Sequence, residues 1–118
     1  MPKKFIKSFK YAQAGAAHAL QTQRNLWIHL TIGVLVLGAG YWLKLSNIEL
    51  AIVVLIVTFV LVAEMFNTAL EETINLIKPE VHPMAALVKN LAAGAVLLAA
   101  CGAVIIGLLI FLPRVIRL

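Results

Sequence analysis

The sequence predicts an all-α integral membrane protein, with an N-terminal amphipathic helix on the membrane surface and three transmembrane helices, assembled as an oligomer. Three observations carry this. The 118-residue chain is 63% hydrophobic and 13% charged, with a mean hydropathy of +1.01, outside the range of an ordinary soluble domain. Three apolar runs, Leu26 to Leu43, Leu50 to Leu70 and Leu91 to Leu112, match the roughly 20 residues that a helix needs to cross about 30 Å of hydrocarbon. Backbone in lipid must satisfy its own polar groups, so runs of this length are helices rather than strands. Finally, acids and amides enter the second run at its C-terminal end. Three thin helices in one copy give such a stripe little shelter, hence the oligomer.

The length suggests a single domain, residues 1–118, made of a surface helix at 2–24 and spans at 26–44, 48–76 and 84–112. In the first element, Lys3, Lys4, Lys7 and Lys10 take one side of a helical wheel, while Phe5, Phe9, Ala12 and Ala16 take the other. Phenyl groups directed into lipid and ammonium groups toward anionic headgroups make an interfacial helix. A solvated basic tail would not need the aromatic spacing. Tyr11 to Leu20 is too polar and too rich in Ala and Gly for the core of a cleavable signal.

Gln21 to Asn25 forms a polar junction, and Trp27 and Trp42 bracket the first span as interfacial anchors. His29, one turn inside, is a ligand, a proton carrier or a hydrogen-bonded structural histidine; the last is the plainer reading. Lys44 to Asn47 is a short turn, which makes the first two spans an antiparallel hairpin. KPEVHP, Lys78 to Pro83, links the second and third spans, with Pro83 suited to a helix start and His82 an exposed loop residue. Ala99, Ala103 and Gly107 recur every four residues, a small face that favours close helix packing. The lone Cys101 excludes a disulfide framework and reads as a packing residue.

The net charge of +5 is spread around the spans without interleaved aromatics, which points to a membrane surface and not to nucleic acid. With the N-terminus inside, Lys3, Lys4, Lys7, Lys10, Arg24, Lys78 and Lys89 are cytoplasmic, against Lys44, Arg114 and Arg117 outside. The positive-inside rule favours this orientation.

The chemistry is expected along Glu64 to Asn75, EMFNTALEETIN. On a helix, Glu64, Asn67, Glu71 and Asn75 fall within an arc of about 80°. Carboxylates in a span usually face a protein interior or a wet cavity and mark function. Glu64 lies roughly 10 Å deeper than Glu71. A deep, water-poor carboxylate suits a general base. The shallower one suits Mg2+ carrying a polyphosphate. Asn67 can orient oxygen atoms without adding charge, and Lys89 can approach phosphate from the next helix. Together they suit phosphoryl transfer to a lipid hydroxyl; the competing reading is a set of interhelical hydrogen bonds that hold an oligomer. The sequence has no G-x-x-x-x-G-K-[ST] and no kinase-type Gly-rich or catalytic loop.

The stretch Glu64-Met-Phe-Asn67-Thr68-Ala69-Leu70-Glu71 resembles the E-x-x-N-[ST]-A-[IL]-E signature of the prokaryotic diacylglycerol kinase family, which includes undecaprenol kinases. The resemblance extends through SFKYAQAG, QRNLWIH, KPEVHP and KNLAAGAVLLAA, nearly the whole chain. It implies a homotrimer of three-span subunits in the bacterial inner membrane, with active sites between neighbours at the cytoplasmic surface. There ATP with Mg2+ phosphorylates a lipid alcohol. It also implies Glu64 as general base, Asn67 as a site residue, Glu71 as metal ligand and Lys89 as phosphate contact. RNLWIH and GLLIFLPR look more like the undecaprenol kinase branch than the diacylglycerol-specific one.

Three positions depart from the family pattern. Asn90 follows Lys89 where the family usually has Asp, Asn75 stands where Asp is frequent, and Gln23 corresponds to a second metal-binding Glu. Each keeps shape and hydrogen bonding but loses negative charge. As amides, Asn75 and Asn90 remain candidates for nucleotide contact and Gln23 for weak metal binding. The working kinase is the favoured reading. Its alternatives are a kinase-impaired member acting as a membrane binding or assembly protein, and a small transporter using Glu64 as proton carrier.

Overall fold

Among residues 2–117, which the computed structural model describes, the chain folds into four helices: α1 (Pro2–Thr22), α2 (Arg24–Trp42), α3 (Asn47–Ile77) and α4 (Pro83–Ile116). The last three are long and apolar enough to cross a membrane. α1 therefore stops two residues short of the end expected for a surface helix, and the first span starts at Arg24. The cause is local. Gln23 leaves helical geometry at φ −113° and ψ 106°. Side chains add to the main-chain bonding at the end of α1, with Thr22 Oγ1 donating to His18 O at 2.8 Å and the Trp27 indole N–H donating to Leu20 O, one of the last four carbonyls of the helix.

The turn between α2 and α3 is fully hydrogen-bonded. Lys44 adopts a left-handed conformation (φ 58°) just beyond the α2 C-cap, Leu43. The Lys44 N–H then reaches Tyr41 O and the Leu45 N–H reaches Gly40 O, both at 3.1 Å. This is a Schellman termination, and the buried Leu45 lies over Gly40 as its apolar contact. α3 opens with a capping box: Ser46 Oγ accepts from the Glu49 N–H at 3.2 Å, and Glu49 accepts from the Ser46 N–H at 3.0 Å. From α4, Arg114 binds the Glu49 carboxylate and donates to Lys44 O at 2.9 Å. α4 thus continues through Pro113 to Ile116, beyond the expected limit at 112, with its last turn tied to the hairpin. At the other end His82 is the α4 N-cap rather than an exposed loop residue. It is half-buried, and its Nδ1 accepts from the Met84 N–H at 3.1 Å, with Pro83 beginning the helix as expected.

α3 is the central helix, packed along α4 and α2, with α1 resting lightly on α2 and α3. The buried positions recur every seven residues: Leu26, Gly33 and Gly40 on α2, Ala85, Ala92 and Ala99 on α4, and Val53 and Val60 on α3. This is the spacing of a coiled-coil seam. Small residues on the outer helices let their backbones approach α3, and packing of this kind replaces the hydrophobic drive that lipid removes. A Cβ at Gly33 would sit 2.6 Å from Val57 Cγ1. The stripe expected every four residues is only partly used within the chain, since Ala99 is buried but a Cβ at Gly107 would meet nothing within 4 Å.

The result measures 54 × 43 × 22 Å, about two helix diameters thick. Its outer faces are apolar, with Leu35, Leu98 and Leu109 exposed. Gly33→Leu should therefore separate α2 from α3 and cost about 1–3 kcal/mol. Gly38→Ala, where a Cβ meets nothing within 4 Å, should be neutral or stabilising by up to ~1 kcal/mol. Thermal unfolding in nanodiscs, followed by circular dichroism, checks both.

Candidate functional site

The polar stripe of α3 runs from the protein interior outward. Glu64 and Thr68 are buried, Asn67 and Glu71 half-buried, and Asn75 exposed. α-Helical geometry puts them on one face, as the sequence predicts. The surrounding helices decide which of them meet. Thr68 turns its hydroxyl back onto the Glu64 carbonyl at 3.0 Å, which satisfies a buried polar group inside the helix.

The Glu64 carboxylate meets α2. His29 Nε2 lies 3.0 Å from Glu64 Oε1, with the glutamate side chain 4% exposed and the histidine 26% exposed. Sequence reasoning offered His29 roles of its own and did not pair it with Glu64. The available signal was that two ionisable residues inside adjacent apolar helices have few alternatives to each other. Beneath His29 lies a cavity of about 430 Å³, whose other lining residues, including Ile32, Val57, Val60 and Val104, are apolar.

Between one and two turns beyond Glu64 on α3, Asn67 Nδ2 donates to Glu71 Oε1 at 3.2 Å. Asn67 Oδ1 is then a buried acceptor with no hydrogen-bond partner among the described residues. Leaving such a group unsatisfied costs about 1–3 kcal/mol. A free amide oxygen and a half-exposed carboxylate one turn apart fit a hard cation. Magnesium commonly takes one or two carboxylates and completes its shell with phosphate oxygens and water. Among the described residues no three His, Cys, Asp or Glu side chains gather into a metal cage. The donor set therefore suits a cation brought in with phosphate.

At the mouth, Lys89 of α4 donates from Nζ to Asn75 Oδ1 at 2.6 Å, which joins two of the expected nucleotide contacts. A neutral amide holds the ammonium in place without cancelling its charge. Next to it Asn90 is exposed, and Gln23 is half-buried at the α1–α2 break. The structure does not join these two to the others through side-chain hydrogen bonds. A pair outside the predicted stripe does form: His18 Nε2 of α1 sits 2.7 Å from Glu72 Oε1. It ties α1 to α3 beside Glu71, and Glu72 lies about 100° off the stripe, outside the face that periodicity marks.

The geometry thus gathers a buried carboxylate, an unpartnered amide oxygen beside a half-exposed carboxylate, and an uncompensated cation at one end of the bundle. Comparison with known proteins finds similarity over most of the chain. The profile described as prokaryotic diacylglycerol kinase matches residues 10–111. A protein named diacylglycerol kinase from Synechocystis sp. is 44% identical over 114 residues, 96% of this chain and 65% of the relative. The chain therefore spans just under two thirds of that protein's length. A protein named undecaprenol kinase from Bacillus subtilis is 41% identical over 111 residues, covering 94% of this chain and 90% of the relative. With a family profile running through all three spans and relatives at this identity, the chain belongs to the prokaryotic diacylglycerol kinase family.

Proposed function

We propose that this chain is an ATP-dependent kinase of a membrane lipid alcohol, acting with Mg2+ at the cytoplasmic face of the bacterial inner membrane. The observation that carries the reading is Glu64, 3% exposed within a spanning helix of a family with named lipid kinases. The undecaprenol kinase of B. subtilis is matched over 90% of its own length. This puts undecaprenol ahead of diacylglycerol as the alcohol to test first. The N-terminus is read as cytoplasmic, which places Lys89 and the open end of α3 where ATP is available.

In the reaction, Glu64 takes the proton of the lipid hydroxyl as that oxygen bonds to the γ-phosphorus. The bond from the γ-phosphorus to the bridging oxygen breaks and ADP leaves. Phosphoryl transfer relies on positioning and charge stabilisation. Lys89, held by Asn75, offers positive charge to the phosphates, and Asn75 and Asn90 offer amide contacts to the nucleotide. Magnesium, when bound, neutralises polyphosphate charge; Glu71 and Asn67 would hold it, with Gln23 a weaker amide ligand. Deep Glu64 and shallow Glu71 keep the proton-accepting and metal-binding carboxylates apart.

The assembly is read as a homotrimer. A single chain leaves Glu71 half-exposed and Asn75 exposed, and its flanking helices present apolar faces such as that of Leu91 and Leu98. A neighbouring copy would close the site. A second reading rests on the amides Gln23, Asn75 and Asn90: a chain of impaired kinase activity that serves as a membrane binding or assembly protein.

Purified protein with Mg-ATP and undecaprenol is expected to form undecaprenyl phosphate. Glu64→Gln should lower kcat by roughly 10²- to 10⁴-fold, the contribution of a positioned base. No product from any lipid alcohol, together with turnover restored by Asn90→Asp, would favour the second reading. Lys89→Met should raise KM for ATP by about tenfold or more, the worth of a charge-assisted hydrogen bond. Glu71→Gln should move the Mg2+ dependence of the rate to higher concentration by roughly 10-fold. Titrations of ATP at saturating magnesium, and of magnesium at saturating ATP, separate the two effects.

A further inference from the structure

Glu64 sits where a charge is least tolerated. Taking a carboxylate out of water costs several kcal/mol unless a partner offsets it. Three other cationic side chains at this end are engaged elsewhere: Lys89 on Asn75, His18 on Glu72 and Lys78 on Glu80. Among the described residues, the basic side chain against the Glu64 carboxylate is His29, with Nε2 3.0 Å from Oε1, an ion pair when the imidazole is protonated. The imidazole is brought there by backbone packing. One turn along α2, Gly33 is so close to α3 that a Cβ would lie 2.6 Å from Val57 Cγ1. The cavity beneath the ring is otherwise lined by apolar side chains, so nothing polar in it competes for the imidazole.

We propose that His29 is a positioning residue for the phosphoryl transfer. It holds Oε1 of Glu64 in place and leaves Oε2 to receive the proton of the lipid hydroxyl. This inference rests on the kinase reading above. It separates the base from the nucleotide contacts, because Lys89 and Asn75 bind each other rather than His29. A ring with a nitrogen on either side suits the site: one faces the buried carboxylate, while the residue keeps 26% of its side chain exposed.

The test combines steady-state kinetics with imidazole rescue in nanodiscs. In His29→Ala, kcat should fall roughly 10- to 100-fold, as when a group that orients a reactive ligand is lost. The KM values for ATP and lipid should stay within about twofold, since uniform binding is untouched. Added imidazole should restore part of kcat saturably in His29→Ala and none in Glu64→Gln. Independently of turnover, the 15N signal of His29, assigned by its loss in His29→Ala, should shift in Glu64→Gln. Wild-type turnover with an unchanged kcat in His29→Ala, or a lost kcat that imidazole does not restore in a correctly assembled variant, overturns the proposal. A wild-type chain without turnover on any lipid alcohol sinks the kinase reading and the catalytic role of His29 with it, and the 15N shift then reports the pair as purely structural.

Discussion

A carboxylate placed inside a hydrocarbon-spanning helix sets the terms for the rest of this molecule. Glu64 is 3% exposed, and water cannot solvate it as it would at a surface. Of its polar neighbours, His29 is the one that reaches the carboxylate. Thr68 keeps its own hydroxyl satisfied on the Glu64 carbonyl, and His29 reaches across from α2 to the carboxylate. For the imidazole to arrive, α2 must lie against α3 at close range. Gly33 makes the approach possible, and the seven-residue recurrence of Leu26, Gly33 and Gly40 holds it along the whole contact. One buried carboxyl group thus ties the packing of α2 against α3 to the position of His29.

The two ends of the bundle are built differently. At the turn between α2 and α3, a Schellman termination, a capping box and the Arg114 clasp satisfy backbone and side chains together. The other end is held by single side-chain contacts: Lys89 to Asn75 and His18 to Glu72. Regions with few interlocking contacts open at lower free energy than a fully tied core. A fixed end and a looser one would suit the proposed kinase, which needs a nucleotide from water and an alcohol from lipid.

Charge at the looser end is unusual for what is missing. Where the family resemblance leads one to expect acids, the chain carries Gln23, Asn75 and Asn90. Asn75 nevertheless does structural work, since its amide oxygen accepts from Lys89 at 2.6 Å. An aspartate there would bind the ammonium more tightly and neutralise it. With an amide, the lysine is oriented while its charge remains available to an anion. The orphaned Asn67 oxygen lies beside Glu71, so the oxygen atoms at this end are not accompanied by a dense cluster of negative charge.

Much of this protein was determined by sequence alone. Hydropathy fixed the three spans, because lipid forces every unpaired backbone group into a helix. Helical periodicity aligned Glu64, Asn67, Glu71 and Asn75, because residues three and four apart share a face. The motif around Glu64 then pointed to the family. Tertiary structure decided what periodicity within one helix cannot reach. His29 lies 35 residues before Glu64, and their meeting depends on how close α2 and α3 come, which Gly33 and Val57 set. Likewise Lys89 finds Asn75, Glu72 finds His18, and Arg114 finds Glu49 only after α4 and α1 have docked. Local chemistry chooses the helices and their polar faces; contacts between helices depend on packing distances that no single segment encodes.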